Sequence, residues 1–238
     1  MRKKVVFFTG SGISVNSGLP AYRAVDGIWD NHDINEVATV GALWNDANKV
    51  NDFFNKMRKK ASVAQPSIAH KIISEFQDEY DVTVLTQNVD DLHEKSGSEV
   101  VYHLHGNIFE TTYMNRGGLF DYRREDINRD EVDETKDTIR PNVVLFGEIP
   151  HHMEDAKRII SSADHVIVIG ASLLVFPVNM MILDAYGLKE ITIIDNNPCY
   201  FEDSGLYMFG FQPNEKTSLI MSDADTGMLT LKNRLIPV

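Results

Sequence analysis

Five short, near-continuous apolar runs punctuate the chain: Val5–Phe8, Val82–Leu85, Val143–Leu145, Val166–Ile169 and Ile191–Ile194. A strand wetted on one face alternates apolar with polar residues. These runs do not, so they read as strands covered on both faces, as in parallel sheets. Helical patterns lie between them. After Pro66, the segment Ser67–Tyr80 puts Ile68, Ala69, Ile72, Ile73 and Phe76 on one face. Met153–Ser162 and Pro177–Tyr186 read as further helices. This alternation predicts an α/β fold, a doubly wound, Rossmann-like parallel sheet.

Two stretches interrupt the alternation. One holds Trp29, Trp44 and a Phe53, Phe54, Met57 cluster and reads as a helical excursion. In the other, twelve of the seventeen residues from Asp121 to Asp137 are charged, which predicts a solvated excursion outside any core. The expected organisation is a sheet domain of residues 1–23, 66–106 and 141–238, with a small helical or irregular domain from insertions 24–65 and 107–140.

Composition narrows the function classes. The 238 residues contain no apolar run of about 18, so no membrane-spanning helix is expected. Val5–Phe8 follows three basic residues but is too short for a secretory leader. A single cysteine, Cys199, excludes an internal disulfide and a multi-cysteine zinc site, and a cytoplasmic location is expected. The net charge of −12 disfavours nucleic acid and anionic membranes as partners, and favours a basic protein segment.

Two strand ends carry glycine and hydroxyl residues: Thr9-Gly10-Ser11-Gly12-Ile13-Ser14 and Gly170-Ala171-Ser172. Glycines there let backbone N–H groups approach a pyrophosphate, and two such ends in one parallel sheet converge on one crevice. A tight turn without a ligand is the bland alternative, because the usual third glycine is Val15. Thr86-Gln87-Asn88-Val89-Asp90 also follows a strand, and reads as a ligand-facing polar loop or as a helix cap. In His103-Leu104-His105-Gly106 the two histidines share one strand face. A metal pair lacks further ligands nearby; a general base or a hydrogen-bonded structural histidine are the remaining readings. His151 and His152 read as solvated surface.

Together these segments resemble the sirtuin (Sir2) family of NAD-dependent protein deacylases. The resemblance rests on Gly10–Ser14 with Ser17-Gly18-Leu19-Pro20-Ala21-Tyr22-Arg23, and on Thr86–Asp90 with Leu92-His93. Leu104-His105-Gly106, Arg140-Pro141-Asn142-Val143-Val144 with Phe146-Gly147-Glu148, and Gly170–Leu173 with Pro177 complete it, in family order over nearly the whole chain. The stretch from Ala24 onward is most similar to the bacterial branch that includes desuccinylases.

The resemblance implies NAD in the crevice at the sheet's carboxyl ends. Gly10, Ser11, Gly12 and Ser172 would contact its phosphates and ribose. Tyr22 and Arg23 would lie over the nicotinamide ribose; Asn88 and Asp90 would hold that ribose and the carboxamide. Ile13, Ser14, Gln87 and Gly170 complete the implied cofactor set. His105 would be the general base, with Asn88 beside it as the second catalytic residue. The acyl group of an acyl-lysine peptide would pass to ADP-ribose as nicotinamide leaves. Val144, Phe146 and Gly147 would wall an apolar lysine tunnel, and the peptide would add as a strand. His103 is expected to matter much less than His105.

Three departures qualify the resemblance. The family's structural zinc sits on four cysteines; the first pair falls at about Tyr113 and Arg116, so no metal is expected. The Tyr-x-x-Arg pair of desuccinylases falls at Phe54 and Met57, which predicts acetyl-lysine or a longer apolar acyl-lysine over succinyl-lysine. The family's ribose asparagine falls near Asp195, whose carboxylate can also accept from hydroxyls. A Sir2-like NAD hydrolase or ADP-ribosyltransferase is the alternative. The protein substrate and oligomeric state are not legible in the sequence.

Overall fold

A computed structural model describes residues 2–22, 27–28, 31–173, 177–185, 189–196 and 215–235. Arg23 and Cys199 lie outside these described residues. Six parallel strands form the main sheet: β1 (Lys4–Thr9), β2 (Asp81–Thr86), β3 (Val101–His103), β7 (His165–Ile169), β8 (Glu190–Asp195) and β9 (Thr217–Met221). Their spatial order is β3-β2-β1-β7-β8-β9, so the winding direction reverses between β1 and β7.

Burial on both faces explains the continuous apolar runs. Val6 and Phe8 of β1 point to one layer, with Ala156 and Ile160 of α6 (Met153–Ser162) and Met181 and Ile182 of α7 (Met180–Ala185). Val5 and Phe7 point to the other, against Ile72 and Ile73 of α4 (Ile68–Glu75) and Met228 and Leu231 of α8 (Ala224–Leu235). The helix read over Ser67–Tyr80 therefore stops at Glu75 and tightens into a 3₁₀ turn, Phe76–Asp78. Among the described residues no helix is long and apolar enough to cross a membrane.

Val143–Leu145 is a correction. It is not a strand of the main sheet. Strand β6 (Ile139–Val143) pairs antiparallel with β4 (Gly106–Tyr113), which also pairs with β5 (Leu119–Tyr122). Val143 and Leu145 are apolar because they pack in a separate core with Phe53 and Phe54 of α3 (Ala47–Val63) and Ile108 and Phe109 of β4. Short helices α1 (Ile34–Val37) and α2 (Val40–Asn45) bring Val37 and Leu43 to the same core. Arg58 of α3 is fully buried there, donating Nε to the Ile108 carbonyl at 2.9 Å and Nη1 to Asn55 Oδ1 at 2.6 Å.

The charged stretch is also more ordered than its composition suggests. Ile127 is buried, with its N–H donating to Asn55 Oδ1 and its carbonyl accepting from Asn55 Nδ2. Charges pair across long sequence distances: Arg124 with Asp91, Arg129 with Asp52, Lys59 with Asp126. At the implied zinc positions, Arg116 lies over the Tyr113 ring, 3.7 Å from its centre, and pairs with Asp133, with Asp137 at 3.9 Å. A phenol and a guanidinium do not make a zinc pair. Among the described residues no cluster of three or more His, Cys, Asp or Glu is placed to hold a metal. The residues present therefore do not fit the family's zinc.

Elemental analysis of untagged protein should find no stoichiometric zinc, and a chelator should leave Tm unchanged. Arg116→Ala should lower Tm, with a smaller loss at high salt because exposed ion pairs are screened. Stoichiometric zinc whose removal unfolds the protein would overturn this account.

Candidate active site

The site is built where the winding reverses. The carboxyl ends of β1 and β7 meet backbone to backbone: Gly10 N donates to Ile169 O at 3.0 Å and Gly12 N to Gly170 O at 2.9 Å. A Cβ on Gly12 would sit 2.6 Å from Gly170 Cα, and one on Gly10 would sit 2.6 Å from Gly170 O. A cleft of about 510 Å³ opens above this contact. It is lined by Gly10, Ser11, Gly12, Gly170 and Ser172, by Asp195 and Asp223, and by Val144, Phe146 and Glu148. Volume and lining match a ligand site at a topological switch point.

Asn88, Gln87 and His105 line the same cleft. Asn88 donates its backbone N–H to Thr86 Oγ1 at 3.0 Å, and its amide to Gly10 O at 3.2 Å and Ser14 Oγ at 3.1 Å. Its Oδ1 is left as the acceptor for a ligand. His105 places Nδ1 3.1 Å from the Gln87 carbonyl. A carbonyl only accepts, so Nδ1 carries the hydrogen and Nε2 is the free base. Burial holds the His105 imidazole below its usual value, outweighing the Gln87 hydrogen bond. Gly106 is required next, because a Cβ at its φ of +78° would overlap the Asn142 carbonyl.

A second cavity of about 370 Å³ adjoins the cleft and shares Ser11, Tyr22, Asn88 and Val89 with it. Ser14, Asp90 and Met57 line this cavity, whereas Phe54 lines the cleft. Phe54 and Met57 therefore belong to adjoining chambers. Asp90 accepts from Ser14 Oγ at 3.0 Å and Leu92 N at 3.2 Å, and burial still pushes its carboxyl above the usual range. Burial likewise raises the Tyr22 phenol, which stays protonated. The Ile13 side chain lies in the sheet core and lines neither chamber.

Several supporting contacts are not legible in the sequence. Val144 N donates to His105 O at 2.9 Å, which ties the cleft wall to the histidine. Glu148 accepts from Leu145 N at 2.8 Å and from Arg140 Nη2 at 2.6 Å, so this ion pair sets the Val144–Gly147 segment. Glu148 stood in a quoted motif, but its pairing with Arg140 was not visible there. His151 is half-buried rather than free surface, its N–H donating to Leu104 O. Below the cleft, Thr9 Oγ1 donates to Thr86 Oγ1 and meets His93 Nε2, each at 2.9 Å.

A family model described as the Sir2 family matches residues 10–177. An NAD-dependent protein deacylase of Aggregatibacter actinomycetemcomitans is 38% identical over 198 residues, covering 83% of this chain and 95% of that one. A protein of the same description from Bacteroides thetaiotaomicron is 31% identical over 241 residues and 99% of both chains. Among solved structures, a mutant Sir2 homologue with ADP-ribose superposes with a TM-score of 0.85 at 28% identity, covering 100% of this chain and 95% of that one. A Sir2 homologue–NAD complex gives 0.83 at 29% identity, over 98% and 89%.

The polar floor should make the fold sensitive to acid. His70 is fully buried beside His93, with ring centres 4.8 Å apart. Its Nδ1 accepts from Ser67 N at 3.3 Å, which requires that nitrogen to be unprotonated. Burial pulls His70 down to about 4 and His93 well below its usual value. The unfolded chain takes up the proton near pH 6.5, so stability is full above that pH and falls toward pH 4. The loss from His70 alone should reach roughly 3 kcal/mol. Urea unfolding from pH 7 to pH 5 should show this slope, and His70→Asn should reduce it.

Proposed function

The chain belongs to the Sir2 family and is an NAD-dependent protein deacylase of the sirtuin type, and from that premise we propose how its residues divide the reaction. The observation that carries the reading is one cleft shared by the glycine-lined strand ends, Asn88, and a histidine whose Nε2 is free to take a proton. NAD, when bound, supplies the ribose carbon that receives the acyl oxygen as nicotinamide departs.

The backbone of Gly10, Ser11, Gly12 and Gly170, with the Ser172 hydroxyl, binds phosphates and ribose, while the Ser14 hydroxyl, which donates to Asp90 and accepts from Asn88, orients those two side chains for the cofactor. Ile13 contributes through its backbone, since its side chain is in the core. Asp195 accepts from ribose hydroxyls at the far end. Asn88 Oδ1 and Asp90 orient the ribose and the carboxamide, Gln87 and Tyr22 close the same region, and Arg23 completes the cofactor set. His105 Nε2 removes a proton from a ribose hydroxyl while the Gln87 carbonyl holds Nδ1–H.

Val144, Phe146 and Gly147 wall the acyl-lysine tunnel with Phe54, and Met57 lines the chamber behind. Apolar walls suit an uncharged acyl-lysine over a free ammonium. The peptide segment lies as a strand beside Phe146, whose neighbour Thr39 already bridges to it in parallel. The sheet domain carries the cofactor residues, and the small domain frames the tunnel without a metal.

Incubation with NAD should release nicotinamide only when an acetyl-lysine peptide is present; peptide-independent release would point to a hydrolase. His105→Ala should fold, bind NAD and lose about 10²–10⁴ in turnover. The acid limb of wild-type activity should lie below pH 6.5, because the base must be neutral and burial lowers its pKa.

Acyl preference follows from Phe54 and Met57. A succinyl carboxylate beside Phe54 and Met57 finds neither a phenol nor a guanidinium there, and burying it without a partner costs several kcal/mol; the cations that line the second chamber are the exposed Lys56 and Lys60. Arg58, next to Met57, is committed to Ile108 O and Asn55. Acetyl-lysine or a longer apolar acyl-lysine should therefore show the higher kcat/KM on matched peptides. Phe54→Tyr with Met57→Arg should move the ratio toward succinyl-lysine; a wild-type succinyl preference would refute the reading.

A further inference from the structure

Four successive carbonyls leaving β2 are each held by a donor from residues 103–108. Leu104 N donates to Thr86 O at 2.8 Å and Ile108 N to Val89 O at 2.8 Å. Between them, His105 Nδ1 meets Gln87 O at 3.1 Å and His103 Nδ1 meets Asn88 O at 2.9 Å. The loop that presents Asn88 is thus set by two imidazoles as much as by main chain.

His103 differs from His105 in its second nitrogen. Its Nε2 lies 2.7 Å from Glu94 Oε1 of α5 (Leu92–Lys95). Both partners of this ring are acceptors, a carbonyl oxygen and a carboxylate. A neutral imidazole has one N–H and would turn a lone pair on one of them. Only the imidazolium satisfies both.

We propose that His103 is a positioning residue for Asn88, an imidazolium clamped between Glu94 and the Asn88 carbonyl. The proposal rests on the reading of Asn88 as a ribose-binding residue. Loss of the proton leaves the remaining hydrogen on Nε2, because the carboxylate is the stronger acceptor. The Nδ1 lone pair then faces the Asn88 carbonyl and the loop loosens. The charged groups facing His103 are Glu94 of α5 and Asp90 of the loop, and His93 of α5 faces it as a neutral ring. Burial opposes the charge, but the Glu94 contact, the Asn88 carbonyl and Asp90 outweigh it and hold His103 above its usual value. Activity should therefore fall on the alkaline side as His103 deprotonates, separately from the acid limb set by His105.

The test is kcat/KM for NAD-dependent deacetylation of an acetyl-lysine peptide between pH 5.5 and 9.5. Wild type should show an alkaline limb. Glu94→Gln should move that limb about one pH unit lower, since an opposite charge in contact shifts a pKa by one to three units. The Glu94 side chain is 41% exposed and Gln has the same shape, so this variant should fold. His103→Asn keeps an amide N–H near the Nδ1 position but cannot titrate. It should retain neutral-pH activity within about tenfold, flatten the alkaline limb and leave the acid limb in place. An alkaline limb that is unmoved in both variants overturns the proposal. Asn88→Ala serves as the reference arm: wild-type turnover there would overturn the assignment of Asn88 itself, even if Glu94→Gln still moved the limb.

Discussion

The contact between Gly12 and Gly170 is the constraint on which the site depends. Two strand ends can share a hydrogen bond and open onto one crevice only if no side chain stands between them. A single Cβ would meet backbone, which cannot rotate away. The strand order reverses at this point, so the helices depart to opposite faces and leave the crevice uncovered. Glycine here has no intrinsic affinity for a ligand. It permits the β1 and β7 loops to be close enough for one ligand to touch both.

Beneath that contact the protein keeps a buried polar layer where an apolar core would pack more simply. Thr9, Thr86 and His93 are buried and bonded to one another, and the Asn88 N–H reaches Thr86 Oγ1 from above. Hydrogen bonds are directional, whereas apolar packing tolerates small shifts, and they hold here although His93 Nδ1 and His70 Nε2 have no partner among the described residues. The arrangement costs acid stability, since His70 and His93 must stay neutral. In return the backbone at Asn88 is held by groups with one geometry.

The parallel strands were legible because burial on both faces writes itself into composition, as in Val166–Ile169. The same signal misled at Val143–Leu145, because a short apolar run reports burial without saying in which core. The candidate site was legible as motifs but not as geometry. Phe54 and Met57 are three residues apart on α3, yet they line different chambers, which depends on how that helix seats against β4 and β6. The run Asp121–Asp137 read as solvent-facing because pairing partners such as Asp52, Lys59 and Asp91 are distant in sequence. His103 read as bland for a similar reason. The positioning role proposed for it rests on the parallel register of Thr86 with His103, which brings the ring to the Asn88 carbonyl.

Two units meet at Asn88. One is the glycine-lined end of the main sheet, where phosphates would lie. The other is the piece formed by His105, Gly106 and the Val144–Gly147 wall, joined by Val144 N to His105 O and braced by Arg140 and Glu148. In the proposed reaction the base and the acyl wall must keep their spacing while a ligand passes between them and the glycines. Placing them at the adjoining ends of β4 and β6, where Gly106 pairs with Val143, holds that spacing within one hydrogen-bonded unit. The loop around Asn88 bridges the units, since the Asn88 side chain bonds Gly10 O and Ser14 while the flanking carbonyls, Gln87 O and Val89 O, accept from His105 and Ile108. A loosened Asn88 would therefore change how the two units register on one substrate, while each unit kept its own internal geometry.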